Sequence, residues 1–240
     1  MRIEIPTSSN PVTIIEGDCL EVLPHIPAGV VDAVVTDPPY GVEFKGKNTK
    51  HTQRSDDGYA SGIDDPNIGP RVVAECVRKF GRVVVFAPAR NAFDYPKPEE
   101  IGSVFCPSGA GLGRWGFIGT HPILYYGKCP YLESGKGHRP NSMRSFATSE
   151  ENGHPCPKPI EWMRFLVTKA SLPSQAVLDP FGGSGTTAIA AILEGRRCIL
   201  IEKDARYVEI ARQRVAKALC RDAGNLFRET EQAGLFGDAA

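Results

Sequence analysis

The sequence lacks several features that would each place a chain in a protein class at once. It has no run of 18 apolar residues and nothing that resembles a signal peptide, so we expect a soluble, cytoplasmic protein without a membrane segment. Its seven cysteines include no C-x-x-C pair. An odd number of scattered cysteines indicates reduced thiols rather than a disulfide framework, and no metal site is predicted.

An excess of charge of one sign is also absent. The 28 Lys and Arg residues balance 28 Asp and Glu residues, so any surface for a polyanion has to be local. Two polar segments, residues 43–66 and 128–153, concentrate cations, and loops of this length are functional or disordered. The alternative for both is an ordinary solvated loop. The cations in these segments that could form such a surface are Lys45, Lys47, Lys50, Arg54, Lys136, Arg139 and Arg144.

The strongest local signal that is present is the tetrapeptide Asp37-Pro38-Pro39-Tyr40. It follows residues 31–36, an apolar and β-branched run that predicts a parallel strand buried on both faces. The carboxyl end of such a strand is where open α/β sheets bind ligands. Two successive prolines stiffen the turn and remove two backbone donors. The turn therefore presents a carboxylate, a free carbonyl and an aromatic ring together.

These three groups suit a planar base that carries an exocyclic amino group. Asp37 and the Pro38 carbonyl can accept the amino hydrogens, which draws the nitrogen toward tetrahedral geometry and frees its lone pair. Tyr40 can stack on the ring, a contact worth about 1–3 kcal/mol per base. An ordinary turn is the alternative, because Asp-Pro and Pro-Pro are common in loops.

A second signal is a glycine-rich turn between a predicted strand, residues 176–179, and a predicted apolar helix, residues 188–194. Glycine lets a backbone approach a ligand closely, and a helix N-terminus favours negative charge. The next strand ends in Glu202, an acid placed as in nucleotide sites, where it accepts from ribose hydroxyls. The G-x-G-x-x-G loop of nicotinamide enzymes is absent. A structural turn with a surface glutamate is the alternative.

The remaining elements are predicted from hydrophobic periodicity. Helices are expected at residues 70–80, 160–170 and 205–219, and a buried strand at 82–87. Residues 90–113 have no clear period, and two short strands are expected around Gly119-Thr120. Asp18, between a strand that starts at Val12 and a helical turn, is a helix cap or a ligand contact, and its local pattern favours the cap.

The tetrapeptide and the Phe181-Gly182-Gly183-Ser184-Gly185-Thr186 loop together resemble the DNA amino-methyltransferases, which use S-adenosylmethionine to methylate adenine N6 or cytosine N4. Because the tetrapeptide precedes the loop, the order resembles their circularly permuted β group, over residues 12–219. The resemblance implies one α/β domain, residues 1–220, with a doubly wound, mostly parallel sheet that ends in an antiparallel hairpin near residues 114–128. Residues 221–240 are expected to form a mobile tail.

The resemblance also implies roles for individual residues. Asp37, Pro38, Pro39 and Tyr40 become catalytic, Glu202 the ribose acceptor, and Asp18 with Cys19 the adenine side of the cofactor pocket. Residues 154–159 are similar to a His-Pro-Thr-Gln-Lys-Pro motif beside the methionine, although Cys156 and Pro157 differ from it and only Lys158 keeps its match. The other expected cofactor contacts are Asp179, Phe181, Gly183, Ser184, Gly185 and Thr186.

The implied function is direct methyl transfer to a base flipped out of double-stranded DNA. Asp rather than Ser at position 37 favours adenine N6 over cytosine N4. Methylation of RNA or of a protein glutamine, and a cofactor-binding module without catalysis, are the alternatives. Cys156 as a nucleophile, and His154 with Cys156 as metal ligands, are not favoured. The first cationic segment is expected to hold the DNA backbone and the second to contact bases, and a homodimer remains open.

Overall fold

The computed structural model describes residues 3–39, 65, 67–88, 91–107, 112–146 and 158–234. The strands are β1 (Val12–Glu16), β2 (Ala33–Thr36), β3 (Val83–Phe86), β4 (Glu100–Phe105), β5 (Leu112–Gly113), β6 (Gly116–Phe117), β7 (Thr120–Tyr126), β8 (Met143–Arg144), β9 (Ala176–Asp179) and β10 (Arg197–Glu202). The helices are α1 (Cys19–Val22), α2 (Ile68–Phe80), α3 (Pro130–Glu133), α4 (Ile160–Ala170), α5 (Thr186–Leu193) and α6 (Ala205–Gly234).

Eight of these strands form one mixed sheet in the order β1-β10-β9-β2-β3-β7-β4-β8. The five strands from β1 to β3 in that order are parallel, and β7 is antiparallel to both of its neighbours. Every residue of β2, β3 and β9 is buried, as expected for strands covered on both faces. The predicted α/β class with a doubly wound, mostly parallel sheet is confirmed.

Two apolar layers cover the sheet. One face packs against α4, α5 and α6, with Leu166, Ala190 and Val215 fully or almost fully buried. The other face packs against α1 and α2, with Val22 and Val73 in the core. Gly81 ends α2 with a φ of 78°, a conformation that glycine adopts without strain. No helix of the described ranges is long and apolar enough to cross a membrane.

We name the two ends of the sheet after the ends of its parallel strands. The strands begin at the amino edge and finish at the carboxyl edge. β7 starts at the carboxyl edge, because Ile123 pairs with Phe86 at the end of β3. β4 ends there too, because Phe105 pairs with Thr120. The segment between β4 and β7, which contains the small β5–β6 hairpin, therefore adjoins the carboxyl edge.

The predicted hairpin around Gly119-Thr120 is wrong. β7 is one arm of the antiparallel pair, but its partner is β4, inside the segment that has no sequence period. Gly102 in β4 explains why the sequence pattern of residues 90–113 did not predict a strand. A Cβ at this position would lie 2.0 Å from the Asn141 carbonyl oxygen. The glycine therefore permits a close backbone approach and does not mark a loop.

The predicted end of the last helix is also wrong. α6 does not stop at residue 219 but continues to Gly234, through much of the segment expected to be a tail. Residues 220–234 are rich in Arg, Glu, Gln and Ala, which have high helix propensity. An apolar stripe ends near Leu219, and a prediction based on that stripe ends the helix too early.

Candidate active site

A pocket opens at the carboxyl edge between β2 and β9. These strands are neighbours in the sheet, but the connection after β2 leads to β3 on one side and the connection after β9 leads to β10 on the other. This is the topological switch point at which open α/β sheets bind ligands. The pocket has an empty volume of about 390 Å³. Its lining residues are Asp37, Lys158, Met163, Asp179, Phe181, Gly182, Gly183, Ser184, Thr186 and Thr187.

Asp37 and Lys158 form an ion pair inside this pocket. Lys158 Nζ donates to both carboxylate oxygens, at 3.0 Å to Oδ1 and 2.7 Å to Oδ2. The lysine side chain is 8% exposed and the aspartate 23%. Asp37 follows β2, whereas Lys158 precedes α4, so the contact joins two parts of the chain. The predicted catalytic carboxylate is thus held from both oxygens by a residue that the sequence assigns to the methionine side.

Asp179 forms the floor of the pocket. Its Oδ1 accepts from Thr36 Oγ1 at 2.6 Å and from the Phe181 amide at 3.0 Å, and its Oδ2 accepts from Thr187 Oγ1 at 2.5 Å. Burial raises the pKa of Asp179 to about 6, against the effect of these donors. The carboxylate therefore ties the end of β2 to the glycine loop and to the start of α5.

The glycine loop wraps the end of β9. Gly185 has a φ of 84°, and a Cβ there would lie 3.0 Å from the Ala211 side chain, so glycine is needed for both backbone conformation and contact with α6. Arg214 of α6 holds the loop from outside, with Nη1 donating to the Ser184 carbonyl at 2.6 Å and to its hydroxyl at 3.0 Å. From the sequence, the charged side chains of residues 205–219, Arg214 among them, indicate a solvated helix face, and this contact corrects that interpretation for Arg214.

Glu202 lies beside the loop at the end of β10. Its Oε2 accepts from the Gly183 amide at 2.7 Å, and its Oε1 accepts from the Asp204 amide at 2.8 Å. Burial raises the pKa of Glu202 above its usual value. The Lys203 amide adds a further hydrogen bond to this carboxylate, so the residue shapes the loop beside the pocket.

Asp18 and Cys19 begin α1 next to this end of β10. Asp18 caps the helix, with Oδ1 accepting from the Leu20 amide at 2.9 Å, while Oδ2 accepts from Lys203 Nζ at 3.0 Å. Partial burial raises the pKa of Asp18, but these two hydrogen bonds outweigh it and the pKa lies below its usual value. Burial raises the pKa of the Cys19 thiol to about 12. The cap is observed, and the cofactor role of both residues stays a prediction.

Four buried side-chain atoms have no hydrogen-bond partner among the described residues. They are Tyr95 Oη, His121 Nε2, Trp162 Nε1 and Asn91 Oδ1. Tyr95 lies near Pro38, since a Cβ on Gly69 would be 2.7 Å from Tyr95 Oη and 3.0 Å from Pro38 Cβ.

The His121 ring packs against Trp162 at a tilt of 55°, with ring centroids 4.6 Å apart. Burial, aided by the Lys158 charge, lowers the pKa of His121 to about 4, so the ring is neutral at pH 7. The sequence analysis missed Tyr95 and His121, because neither lies in a recognised motif.

The predicted nucleic-acid contacts divide between the two edges. Lys136 and Arg139 follow α3 near the amino edge, where the Arg139 guanidinium lies 3.6 Å from the Tyr131 ring centroid. Arg144 lies at the carboxyl edge, because β8 pairs it with Phe105. Pro38 and Pro39 follow β2 as expected. The predicted positions that lie outside the described residues are Tyr40, Lys45, Lys47, Lys50, Arg54, His154 and Cys156.

Solved structures define the class of this fold. The PvuII DNA methyltransferase (cytosine-N4-specific) superposes with a TM-score of 0.60 at 17% identity, covering 88% of this chain and 92% of that one. The M1.HpyAVI-SAM complex gives a TM-score of 0.58 at 20% identity, covering 85% and 98%. The fold is that of the methyltransferases.

The family follows from sequence comparison. The family model described as DNA methylase matches residues 88–213, which is more than half of the chain. Similar proteins include the putative methylase YubD of Escherichia coli, 27% identical over 88% of this chain and 94% of its own length. The type II methyltransferase M.HinfI of Haemophilus influenzae is 26% identical over 85% of this chain and 68% of its own. The protein belongs to the DNA methylase family and is a methyltransferase.

Proposed function

We propose that this methyltransferase transfers a methyl group from S-adenosylmethionine to the exocyclic amino group of a DNA base, adenine N6 in preference to cytosine N4. The observation that carries the proposal is the pocket in which Asp37, held by Lys158, faces the glycine loop. Among similar proteins, YhdJ of Escherichia coli is named a DNA adenine methyltransferase and is 25% identical over 91% of this chain and 91% of its own length.

The residues of the pocket fit this cofactor. Glu202 lies at the end of β10 where it can accept from ribose hydroxyls, and the start of α5 offers backbone amides and the Ser184 and Thr186 hydroxyls for a carboxylate. When bound, the cofactor supplies an electrophilic methyl group on a sulfonium centre.

Asp37 and its lysine partner orient the base. Lys158 Nζ donates to both Asp37 oxygens and so fixes the carboxylate, which accepts the hydrogens of the amino group. The Pro38 carbonyl is a further acceptor on the same turn. These hydrogen bonds strengthen as the nitrogen becomes tetrahedral, so they stabilise the transition state more than the ground state.

The proton balance requires no strong base. After methylation the amino nitrogen carries one hydrogen more than the neutral product and is acidic, so the proton leaves through the hydrogen bond to an Asp37 oxygen and reaches water. The fixed carboxylate contributes to rate mainly by holding the nitrogen in line with the methyl group. The base reaches this pocket by flipping out of the duplex.

The test is a methylation assay with labelled S-adenosylmethionine and unmethylated genomic DNA, RNA or protein as acceptors, followed by nucleoside analysis. We expect label in DNA as N6-methyladenine and no transfer by Asp37→Ala. Label in N4-methylcytosine would show that the target base is cytosine and not adenine. Label confined to RNA or to protein would overturn the proposal, and so would a folded protein that binds the cofactor and labels none of the three.

A further inference from the structure

An exposed aromatic and cationic surface borders the carboxyl edge beside the pocket. Trp115 is fully exposed at the turn of the β5–β6 hairpin, Phe146 is 64% exposed after β8, and Phe105 is 46% exposed at the end of β4. Arg114 and Arg144 lie next to these rings in the chain. We call these five residues the hairpin surface.

The register of the sheet places this surface on the pocket side. Phe86 ends β3 opposite Ile123, whereas β7 continues three residues further, to Thr120 opposite Phe105. At about 3.4 Å per residue the antiparallel strands project roughly 10 Å beyond β3. The β5–β6 hairpin immediately precedes β7, and β8 aligns Arg144 with Phe105 at the same height. The surface therefore extends the wall of the pocket that contains Asp37.

The charge of this region favours a polyanion over a protein partner. The hairpin surface contains two cations, Arg114 and Arg144, and no acidic residue. Neither Arg114 nor Arg144 forms an ion pair within the described residues. The Arg144 guanidinium instead lies 4.8 Å from the Phe146 ring centroid. Stacked arginine and aromatic rings are suited to phosphate contact and to base stacking.

The shape fits a duplex. A two-stranded β-ribbon enters a major groove, and an apolar side chain at its tip can insert between bases where the stack is opened. A base that flips into the pocket opens the stack at a position next to the carboxyl edge. Trp115 is the largest exposed ring near that position in the part of the chain that the structure describes.

We infer that the hairpin surface binds the DNA duplex at the target site, with Trp115 stacking on the bases left by the flipped nucleotide and Arg114 and Arg144 contacting phosphates. The inference rests on the proposed function. It replaces the assignment of Lys136 and Arg139, which lie at the amino edge, and keeps Arg144.

The test combines binding and fluorescence of the full chain. The probes are the duplex that the methylation assay identifies and a duplex of mixed sequence. Only two tryptophans are present, and Trp162 is 4% exposed, so quenching by DNA reports on Trp115. We expect Trp115→Ala to weaken duplex binding by about 10- to 100-fold, the range of one lost base stack. Trp115→Phe should keep most affinity and lose the quenching.

Matched controls come from the amino edge. Leu132→Ala removes an exposed apolar side chain of α3, and Lys128→Gln removes an exposed cation after β7. Both should leave duplex affinity unchanged, whereas Arg144→Gln should lower it and reduce the salt slope by about 1. Affinity for S-adenosylmethionine should stay at the wild-type value in every variant.

Two outcomes would overturn the inference: wild-type binding and quenching in Trp115→Ala, or a loss in Lys128→Gln equal to that in Arg144→Gln. If wild type methylates DNA in either case, the proposed function stands. If wild type binds and quenches on duplex DNA but transfers no methyl group, the proposed function fails and the surface is supported.

Discussion

The strand β2 has an aspartate near each end, and the two carboxylates have different kinds of partner. Asp32, at the amino edge, accepts from the Ala176 amide at 2.8 Å and so joins β2 to the start of β9. Asp37, at the carboxyl edge, accepts from the Lys158 side chain with both oxygens. One carboxylate closes a backbone contact, and the other is paired with a side chain inside the pocket.

The same contrast holds for the basic side chains. Arg196, 5% exposed near the amino edge, donates to the Ser171 carbonyl at 2.8 Å, to Tyr131 Oη at 3.1 Å and to the Glu194 carbonyl. These acceptors are neutral and fix neighbouring loops. The comparison shows that Asp32 and Arg196 at the amino edge bind groups of the fold, whereas for the Asp37–Lys158 pair at the carboxyl edge we propose that it orients a base. Substitutions at the two edges should therefore separate stability from activity.

The largest expected effect is that of Asp37→Ala, because it removes the acceptor of the amino hydrogens. We expect kcat to fall by about 10³-fold or more while affinity for S-adenosylmethionine stays within about tenfold. Single-turnover methylation and calorimetry measure the two quantities. The matched variant Asp32→Ala should lose stability and keep kcat. A collapse of cofactor affinity in folded Asp37→Ala would move this carboxylate to the cofactor side.

Lys158→Met is expected to have the next largest effect. It leaves the Asp37 carboxylate in a partly buried site without the cation that fixes both oxygens, so kcat should fall by about 10²-fold. Lys158→Arg should recover part of the loss, because it restores the charge. Lys169→Met, at the other end of α4, is the control and should keep kcat. A raised KM for the cofactor with unchanged kcat would instead return Lys158 to the methionine pocket.

Local sequence patterns predict much of this site. The apolar run before Asp37 and the glycine loop before α5 are contiguous signals, and both lie at the ends of buried strands as predicted. The pairing of Asp37 with Lys158 joins residues 121 positions apart. No periodicity encodes such a contact. The resemblance located Lys158 near the pocket but assigned it a different partner.

The features that the sequence did not predict depend on contacts between distant parts of the chain. β4 gains its stability from long-range pairing with β7. Gly102, which lets residue 141 approach, weakens the sequence signal for a strand. Tyr95 lies in a segment without a period and His121 in an expected strand, and only the fold brings them near Asp37. Arg214 shares its helix turn with solvated residues, and only the position of the glycine loop makes it a contact.

At the amino edge, Arg196→Met should lower the free energy of unfolding by about 3 kcal/mol, because three buried acceptors lose their charged donor. Chemical denaturation measures the change. Single-turnover kcat of the folded fraction should match wild type. A variant of unchanged stability with reduced kcat would contradict the division between the edges.

The smallest effect is expected for Glu202→Ala, at the carboxyl edge. Loss of the acceptor for ribose hydroxyls should weaken S-adenosylmethionine binding by about 1–3 kcal/mol. Calorimetry measures it, and Glu133→Ala, which removes a carboxylate paired with Arg82 at the amino edge, is the control that should leave affinity unchanged.

The stability of the Glu202 variant tests whether this carboxylate serves the ligand or the loop. Burial raises its pKa in the folded protein, so whatever the carboxyl contributes to stability is present below its unfolded pKa and is lost as pH rises through the folded value. The cost of Glu202→Ala in free energy of unfolding should therefore become smaller as pH rises, whereas the loss of cofactor affinity should persist. A large loss of stability with unchanged cofactor affinity would mean that Glu202 serves only to hold the loop, through its hydrogen bonds to Gly183 and Asp204. Its role would then be structural, like that of the charged side chains at the amino edge.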